Sequence, residues 1–223
     1  MSNRMAGWIT GALVLATTAA GAWTLSRVAP GQRLPVHFGL DGRPNGWAPA
    51  SVALFISPAM GALMWVLRAV LPKITPRGAN LERSSGAYAT IWITLGIILA
   101  LVQGAVVAAA LGYRVEAPGV LAGLLGAAFM VIGNVLPKLR WNYVVGIRTP
   151  WTLADERVWD KTHRFGGWVM VLGGAVLVAG ALVAPHTPKP GLLAGVVGLI
   201  ITLPVARSYV IWRRQHGSSP AGG

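Results

Sequence analysis

The chain has 223 residues, of which 54% are hydrophobic and only 11% charged, and its mean hydropathy is +0.60. A soluble domain usually carries about a quarter charged residues, so this balance excludes an ordinary soluble globule and points to a membrane protein. The chain has no cysteine, which removes disulfides and thiolate metal sites; its formal charge of +13 falls mostly between apolar runs, where anionic headgroups rather than nucleic acid are the expected partner.

Six charge-poor intervals follow one another: Met5–Ser26, Ala50–Leu67, Ala87–Leu111, Ala117–Leu136, Phe165–Ala184 and Gly191–Ala206. Most approach the roughly 20 apolar residues that cross a bilayer, and Arg207 can snorkel at the end of the shortest. They predict an all-α integral membrane protein, a six-helix transmembrane bundle. The first run is too long for a signal-peptide core, and Trp23 and Leu25 before Arg27 do not form a small-residue cleavage site, so it reads as a retained helix. With the N-terminus inside, fourteen Lys and Arg residues fall on the cytoplasmic side against five outside. That positive-inside bias predicts a multi-pass bacterial cell-membrane protein with both termini cytoplasmic. Trp8, Trp23, Trp65, Trp168 and Trp212 near span ends fit an interfacial aromatic belt.

The expected organisation is an N-terminal two-span unit over 1–86 with an extracytoplasmic loop at 27–49, a four-span region over 87–214, and a disordered tail over 215–223. Gly112–Glu116 and Pro185–Pro190 read as tight outer turns. Val70-Leu-Pro-Lys73 and Val135-Leu-Pro-Lys138 form a faint repeat, each an apolar helix end, a helix-stopping proline and a cation. Small residues at Gly119, Gly123 and Ala127, and at Gly191 and Gly195, suggest faces of close helix approach. Gln103 and Asn134 are the main polar residues within spans. No Asp, Glu, Lys or Arg lies deep in one, which weighs against a proton-coupled transporter or ion pump.

In the outer loop, Gly39, Gly42 and Gly46 supply turns, Phe38 and Trp47 offer apolar anchors, and His37 with Asp41 is a candidate proton-sensitive pair; a hydrogen-bonded loop histidine is the commoner outcome. The inner segment 137–164 carries more. Pro137 stops the fourth helix, Trp141, Asn142 and Tyr143 suit the headgroup layer, and Gly146 and Pro150 punctuate a turn in which Thr149 is extended. Thr152 reads as an N-cap with Asp155 three residues on, so Leu153–Arg164 is expected to be a short interfacial cytoplasmic helix between spans four and five. On its wheel, Val158 and Trp159 form an apolar edge and Arg157, Lys161 and Arg164 a basic one. Glu156, Asp160 and His163 share a third face. Those three are weak candidates for a divalent cation, since further ligands are lacking, and no nucleophile accompanies His163. The expectation is therefore no metal, no cofactor and no catalytic residue, with ion pairing and capping the main work of that face.

Asn134-Val-Leu-Pro-Lys138, Asn142-Tyr-Val-Val-Gly-Ile-Arg-Thr-Pro-Trp-Thr-Leu153 and Val158-Trp-Asp-Lys-Thr-His-Arg164 resemble the SdpI family of bacterial toxin-immunity membrane proteins. Leu34-Pro-Val-His-Phe-Gly39 with Gly42, Pro44, Asn45, Gly46 and Trp47 is similar to the small domain of unknown function that often precedes it. The resemblance implies a non-enzymatic protein conferring immunity to a secreted antimicrobial peptide, with membrane lipids, a toxic peptide and a cytoplasmic regulator as partners and no direct contact with nucleic acid. It implies docking through Asn142, Gly146, Arg148, Thr149, Pro150, Trp151, Thr152, Glu156, Trp159, Asp160, Lys161, His163 and Arg164, and outside through His37, Phe38, Asp41, Asn45 and Trp47. The competing reading is a transporter or membrane enzyme acting on a lipid or small amphiphile through Glu156, Asp160 and His163.

Overall fold

The computed structural model describes residues 2–39, 44–113, 117–183 and 190–216. Six helices among them are long and apolar enough to cross a membrane: α1 (Asn3–Leu25), α2 (Ala50–Ile74), α4 (Ser85–Ala110), α5 (Ala117–Val135), α7 (Glu156–Val183) and α8 (Pro190–His216). Two short helices, α3 (Gly78–Arg83) and α6 (Pro150–Ala154), and a 3₁₀ turn at Leu136–Lys138 lie at one end of the bundle. We call that the basic end. At the other end strands β1 (Arg33–Phe38) and β2 (Pro44–Pro49) form an antiparallel hairpin where only a loop was expected. Leu34 of β1 is buried with Ala50, Ala53, Leu54 and Ala110, and Gln32 Nε2 donates to Ala110 O at 3.0 Å, so the hairpin caps the ends of α2 and α4.

Helices α1, α2 and α4 pack on one another; α5 and α7 form the closest pair, α8 lies against α7, and α4 meets α5. In hydrocarbon each backbone polar group needs an internal partner, so prolines inside spans demand compensation. Pro58 cannot give an N–H to Leu54 O, and Gln103 Nε2 donates to that carbonyl at 2.9 Å. Pro72 likewise leaves Arg68 O, and the Tyr88 hydroxyl donates to it at 3.0 Å. The hydroxyls of Thr10, Thr17, Thr18 and Thr24 return to carbonyls one turn back, which lets α1 carry four threonines in a span.

The α5–α7 contact is built from two glycine pairs seven residues apart on each helix. A Cβ on Gly126 would lie 2.6 Å from Gly174 O, and one on Gly133 the same 2.6 Å from Gly167 O. The face expected at Gly119, Gly123 and Ala127 is thus displaced: Gly123 makes only ordinary contact with Ala181, and Gly191 and Gly195 face open space. Spacing alone marks several glycine stripes, and the partner helix selects which one closes.

Other boundaries differ from expectation. The two Leu-Pro-Lys sequences do not end helices alike: α2 runs through Pro72 to Ile74, whereas α5 stops at Val135 before its 3₁₀ turn. The extension of α2 places Arg68 within the helix, only 7% exposed, with Nη1 donating to Asn3 O at 3.0 Å and to the Asn3 side chain. Gln215 and His216 belong to α8, while the rest of the expected tail, 217–223, lies outside the described residues, as do 114–116 and 184–189 of the two expected outer turns.

Candidate functional site

The segment 139–164 folds into a self-contained plug at the basic end. Asn142 organises its first part. Its fully buried side chain accepts the N–H groups of Val144 and Val145, both at 2.8 Å, and donates to Arg140 O at 2.8 Å and Val145 O at 3.1 Å. Those four bonds use its principal donor and acceptor capacity, so a polar side chain nucleates the loop at no desolvation loss.

The second part is a threonine box. Thr149 precedes proline and is therefore extended (φ −94°, ψ 161°), the conformation an N-cap requires, and Pro150 is pre-set for the first helical position. Thr152 N–H donates to Thr149 Oγ1 at 3.2 Å and Thr149 N–H to Thr152 Oγ1 at 2.9 Å. The expected N-cap at Thr152 is thus corrected to Thr149, with Thr152 closing the box from N3. Asp155 is extended and caps the next helix instead, its Oδ1 accepting from Arg157 N at 2.7 Å and Val158 N at 3.2 Å.

The helix expected over Leu153–Arg164 does not form as a separate interfacial element. Its residues from Glu156 are the first turns of α7, which continues unbroken to Val183. Charge fixes where a helix can enter the bilayer, not where it must bend, and nothing between Arg164 and Phe165 stops an α-helix.

Trp159 and His163 lie at the centre of the plug. Trp159 is fully buried, donates from Nε1 to Leu139 O at 2.9 Å, and stacks on the His163 ring at 3.8 Å and 23°. His163 Nδ1 donates to Trp159 O at 2.8 Å and its Nε2 accepts the N–H of Ile147 at 3.0 Å, which fixes one neutral tautomer. Gly146 passes the ring at φ +128°, where a Cβ would fall 2.3 Å from Nε2. His163 is therefore buried and hydrogen-bonded within the plug, while Glu156 and Asp160 of the same helix stay exposed. Among the described residues no three His, Cys, Asp or Glu side chains converge as a metal site.

Of the remaining candidates, Arg148, Pro150, Lys161 and Arg164 are exposed, and Arg148 donates to Tyr143 O at 2.9 Å. Trp151 is half-buried against Tyr209 of α8, ring centres 5.0 Å apart. The hydroxyls of Thr149 and Ser208 lie 3.0 Å apart, and Asp155 Oδ2 sits 3.7 Å from His216 Nε2, so α8 is latched to the plug at three levels. The first inner loop is latched as well. Asn80 Nδ2 donates to Trp141 O at 2.8 Å, Arg140 N–H to Ser84 Oγ at 2.9 Å, and the Arg77 guanidinium lies 3.2 Å from the centre of the Trp141 ring. Sequence reasoning missed Arg77, Asn80, Ser84, Ser208 and Tyr209. Pro76-Arg77-Gly78 was the available sign, a turn in which Arg77 adopts φ 60° and Gly78 approaches the carbonyl of Pro72 too closely for any Cβ.

At the hairpin end His37 is exposed and its Nδ1 hydrogen-bonds Asn45 Oδ1, while Trp47 is exposed. Asp41, the expected partner of His37, lies outside the described residues, and for Phe38 only the backbone pairing with Pro44 is described. Beside the hairpin runs a groove of about 170 Å³ between α2, α4 and α5, lined by Val36, Ile56, Leu101, Ala105, Leu121 and Leu124 among others, with Ser57 its one hydroxyl.

Residues 138–208, from the 3₁₀ turn through the plug to Ser208 on α8, match the SdpI/YfhL protein family; residues 12–62 match a domain of unknown function, DUF1648. The SdpI match takes in 71 of the 223 residues. That region contains the buried side chains of the plug, whereas Arg77, Asn80 and Ser84, which latch the first inner loop to it, fall outside both matched regions. The chain is similar to the immunity protein SdpI of Bacillus subtilis (strain 168), 29% identical over 124 residues that cover 55% of this chain and 58% of that one. It is also 34% identical over 61 residues to the uncharacterized protein YfhL of the same organism, covering 26% of this chain and 56% of that one. The chain thus spans between half and two thirds of the length of these curated relatives. No solved structure matches it.

Proposed function

We infer that this chain is an SdpI-type protein that confers immunity: it protects the membrane that houses it against a secreted antimicrobial peptide, without covalent chemistry of its own. The observation that carries this reading is the 124-residue similarity to a protein named for immunity. The chemistry of the plug supports it. Its His163, Thr149 and Thr152 are consumed by internal hydrogen bonds, and its carboxylates at Glu156 and Asp160 stay on the solvent side. The termini and the two long basic loops lie in the cytoplasm, in keeping with fourteen of nineteen cations at that end. The exposed rim of Arg148, Glu156, Asp160 and Lys161 is then where a cytoplasmic regulator docks, while a peptide lying in the outer leaflet sets apolar side chains into the groove beside the hairpin.

The test is deletion of the gene in its own host, with complementation from a plasmid, against a panel of cationic and hydrophobic membrane-active peptides. Heightened sensitivity to at least one peptide class, restored by the intact gene, is the expected result. Unchanged sensitivity across the panel contradicts the reading.

A further inference from the structure

We propose that the cleft between α5 and α7 at the basic end is a binding site for the phosphate of an anionic lipid headgroup, held by Arg164, Asn134 and Trp168. A cavity of about 200 Å³ opens there, lined by Gly133, Asn134 and Pro137 of the α5 end and by Arg164, Gly167, Trp168 and Val171 of α7. A water molecule's share of the liquid is roughly 30 Å³, so the space takes a group much larger than a single water.

The cavity follows from the helix contact beside it. Gly133 and Gly167 bring the two backbones together, with a Cβ on either falling 2.6 Å from the other's carbonyl oxygen. Antiparallel register then sets the end of α5, at Asn134 and Pro137, beside the stripe formed by 164, 168 and 171 at i, i+4 and i+7 on α7. Asn134 and Arg164 are both exposed, and among the described residues neither makes a side-chain hydrogen bond or an ion pair. An amide and a guanidinium turned to the same cleft at a helix contact, with no protein acceptor between them, call for an acceptor from outside.

Depth identifies that acceptor. Glu156–Arg164 carries five charged residues, and Phe165–Val183 carries none, so Arg164 marks the level at which α7 leaves water. Trp168, one turn deeper and 66% exposed, has the amphipathic ring that settles at the headgroup layer. Val171 a further turn on meets acyl chain rather than water. The guanidinium fork matches two phosphate oxygens, and the Asn134 amide and the Trp168 indole N–H can each donate to another; among the described residues Asp160, one turn back on α7, forms no ion pair with Arg164. A phosphate there is fixed by donors from two helices and so ties the α5–α7 pair to the leaflet.

The intact protein, extracted in mild detergent from membranes containing phosphatidylglycerol and phosphatidylcholine, is examined by native mass spectrometry for retained lipid. Phosphatidylglycerol is expected on the wild type in preference to phosphatidylcholine. Arg164→Gln should lower its occupancy about fivefold, the loss of one near-surface arginine's roughly 1 kcal/mol. Asn134→Ala should lower it less, and Arg164→Lys should retain part of it. Arg213→Gln, in the last turn of α8, serves as the charge control and should leave occupancy unchanged. Elution as a folded monodisperse species accompanies each variant. Equal phosphatidylglycerol occupancy in folded wild type, Arg164→Gln and Asn134→Ala overturns the site. Displacement of the lipid by millimolar inorganic phosphate overturns the assignment to a lipid and gives the cleft to a free anion.

Discussion

His163 Nε2 accepts the backbone N–H of Ile147 at 3.0 Å, and that one bond converts the most chemically suggestive residue of the chain into a structural one. An imidazole whose Nδ1 donates to Trp159 O and whose Nε2 accepts has no nitrogen left for a metal or a substrate proton.

Replacing His163 by alanine should therefore destabilise rather than inactivate a centre. It orphans the Ile147 N–H and opens a void beside the Trp159 ring, a combined cost of about 2–4 kcal/mol. Thermal unfolding in detergent, followed by tryptophan fluorescence, should show a lowered midpoint, and added divalent cations should move neither wild type nor variant. A cation-dependent rise in the wild-type midpoint that His163→Ala abolishes would restore the metal reading.

Gly146→Ala is a sharper probe of the same contact. At φ +128° a side chain is strained, and its Cβ would collide with His163 Nε2. Gly31 also has positive φ, at +81°, but has nothing within 4 Å of a Cβ. Gly31→Ala should cost only the left-handed penalty of about 1–2 kcal/mol, and Gly146→Ala clearly more. Equal shifts in the unfolding midpoint would show that the plug does not press on this glycine.

Gln103 and Pro58 should be energetically coupled. Gln103→Leu leaves Leu54 O without a donor in the apolar interior, at about 1–2 kcal/mol. In a Pro58→Ala background residue 58 regains an N–H for Leu54 O, and the same change should cost less. A double-mutant cycle on unfolding in mixed micelles reads the difference, and strict additivity would refute the compensation.

The α5–α7 glycines should separate cleanly from those of α8. Gly126→Ala or Gly174→Ala forces the backbones apart and should loosen the pair by about 1–3 kcal/mol. Gly195→Ala meets open space and gains helix propensity, so stability should hold or rise by about 0.5–1 kcal/mol. Resistance to a graded addition of a denaturing detergent measures both, and a loss of stability in Gly195→Ala would place α8 in a tighter contact than the one described.

These contrasts show what the sequence carried and what it did not. All six spans were legible, because ~20 apolar residues and flanking cations are one-dimensional signals. The extended Thr149 was legible from Pro150. Its role as N-cap followed from the same fact but was assigned to Thr152, since both are threonines three residues apart. The hairpin escaped because prolines at 35, 44 and 49 argue against strands except at an edge, and a two-stranded sheet is all edge. The split of the charged face, His163 inward and Glu156 and Asp160 outward, depends on where the loop at Ile147 returns, and a helical wheel contains no loop. Arg77 stacking on Trp141 joins two segments separated by 64 positions, and no local pattern announces such a pair.

The central claim is that the chain shields a membrane from peptide attack. Its most direct test is membrane potential. A peptide-sensitive bacterial host expressing the intact chain is loaded with a potential-sensitive dye and challenged with the peptide that most inhibits the deletion strain. The account predicts that depolarisation is delayed or abolished relative to empty vector, and that a destabilised plug variant such as Gly146→Ala protects only in proportion to the folded protein in the membrane. Depolarisation at the same rate with and without the chain, at verified membrane expression, would contradict it.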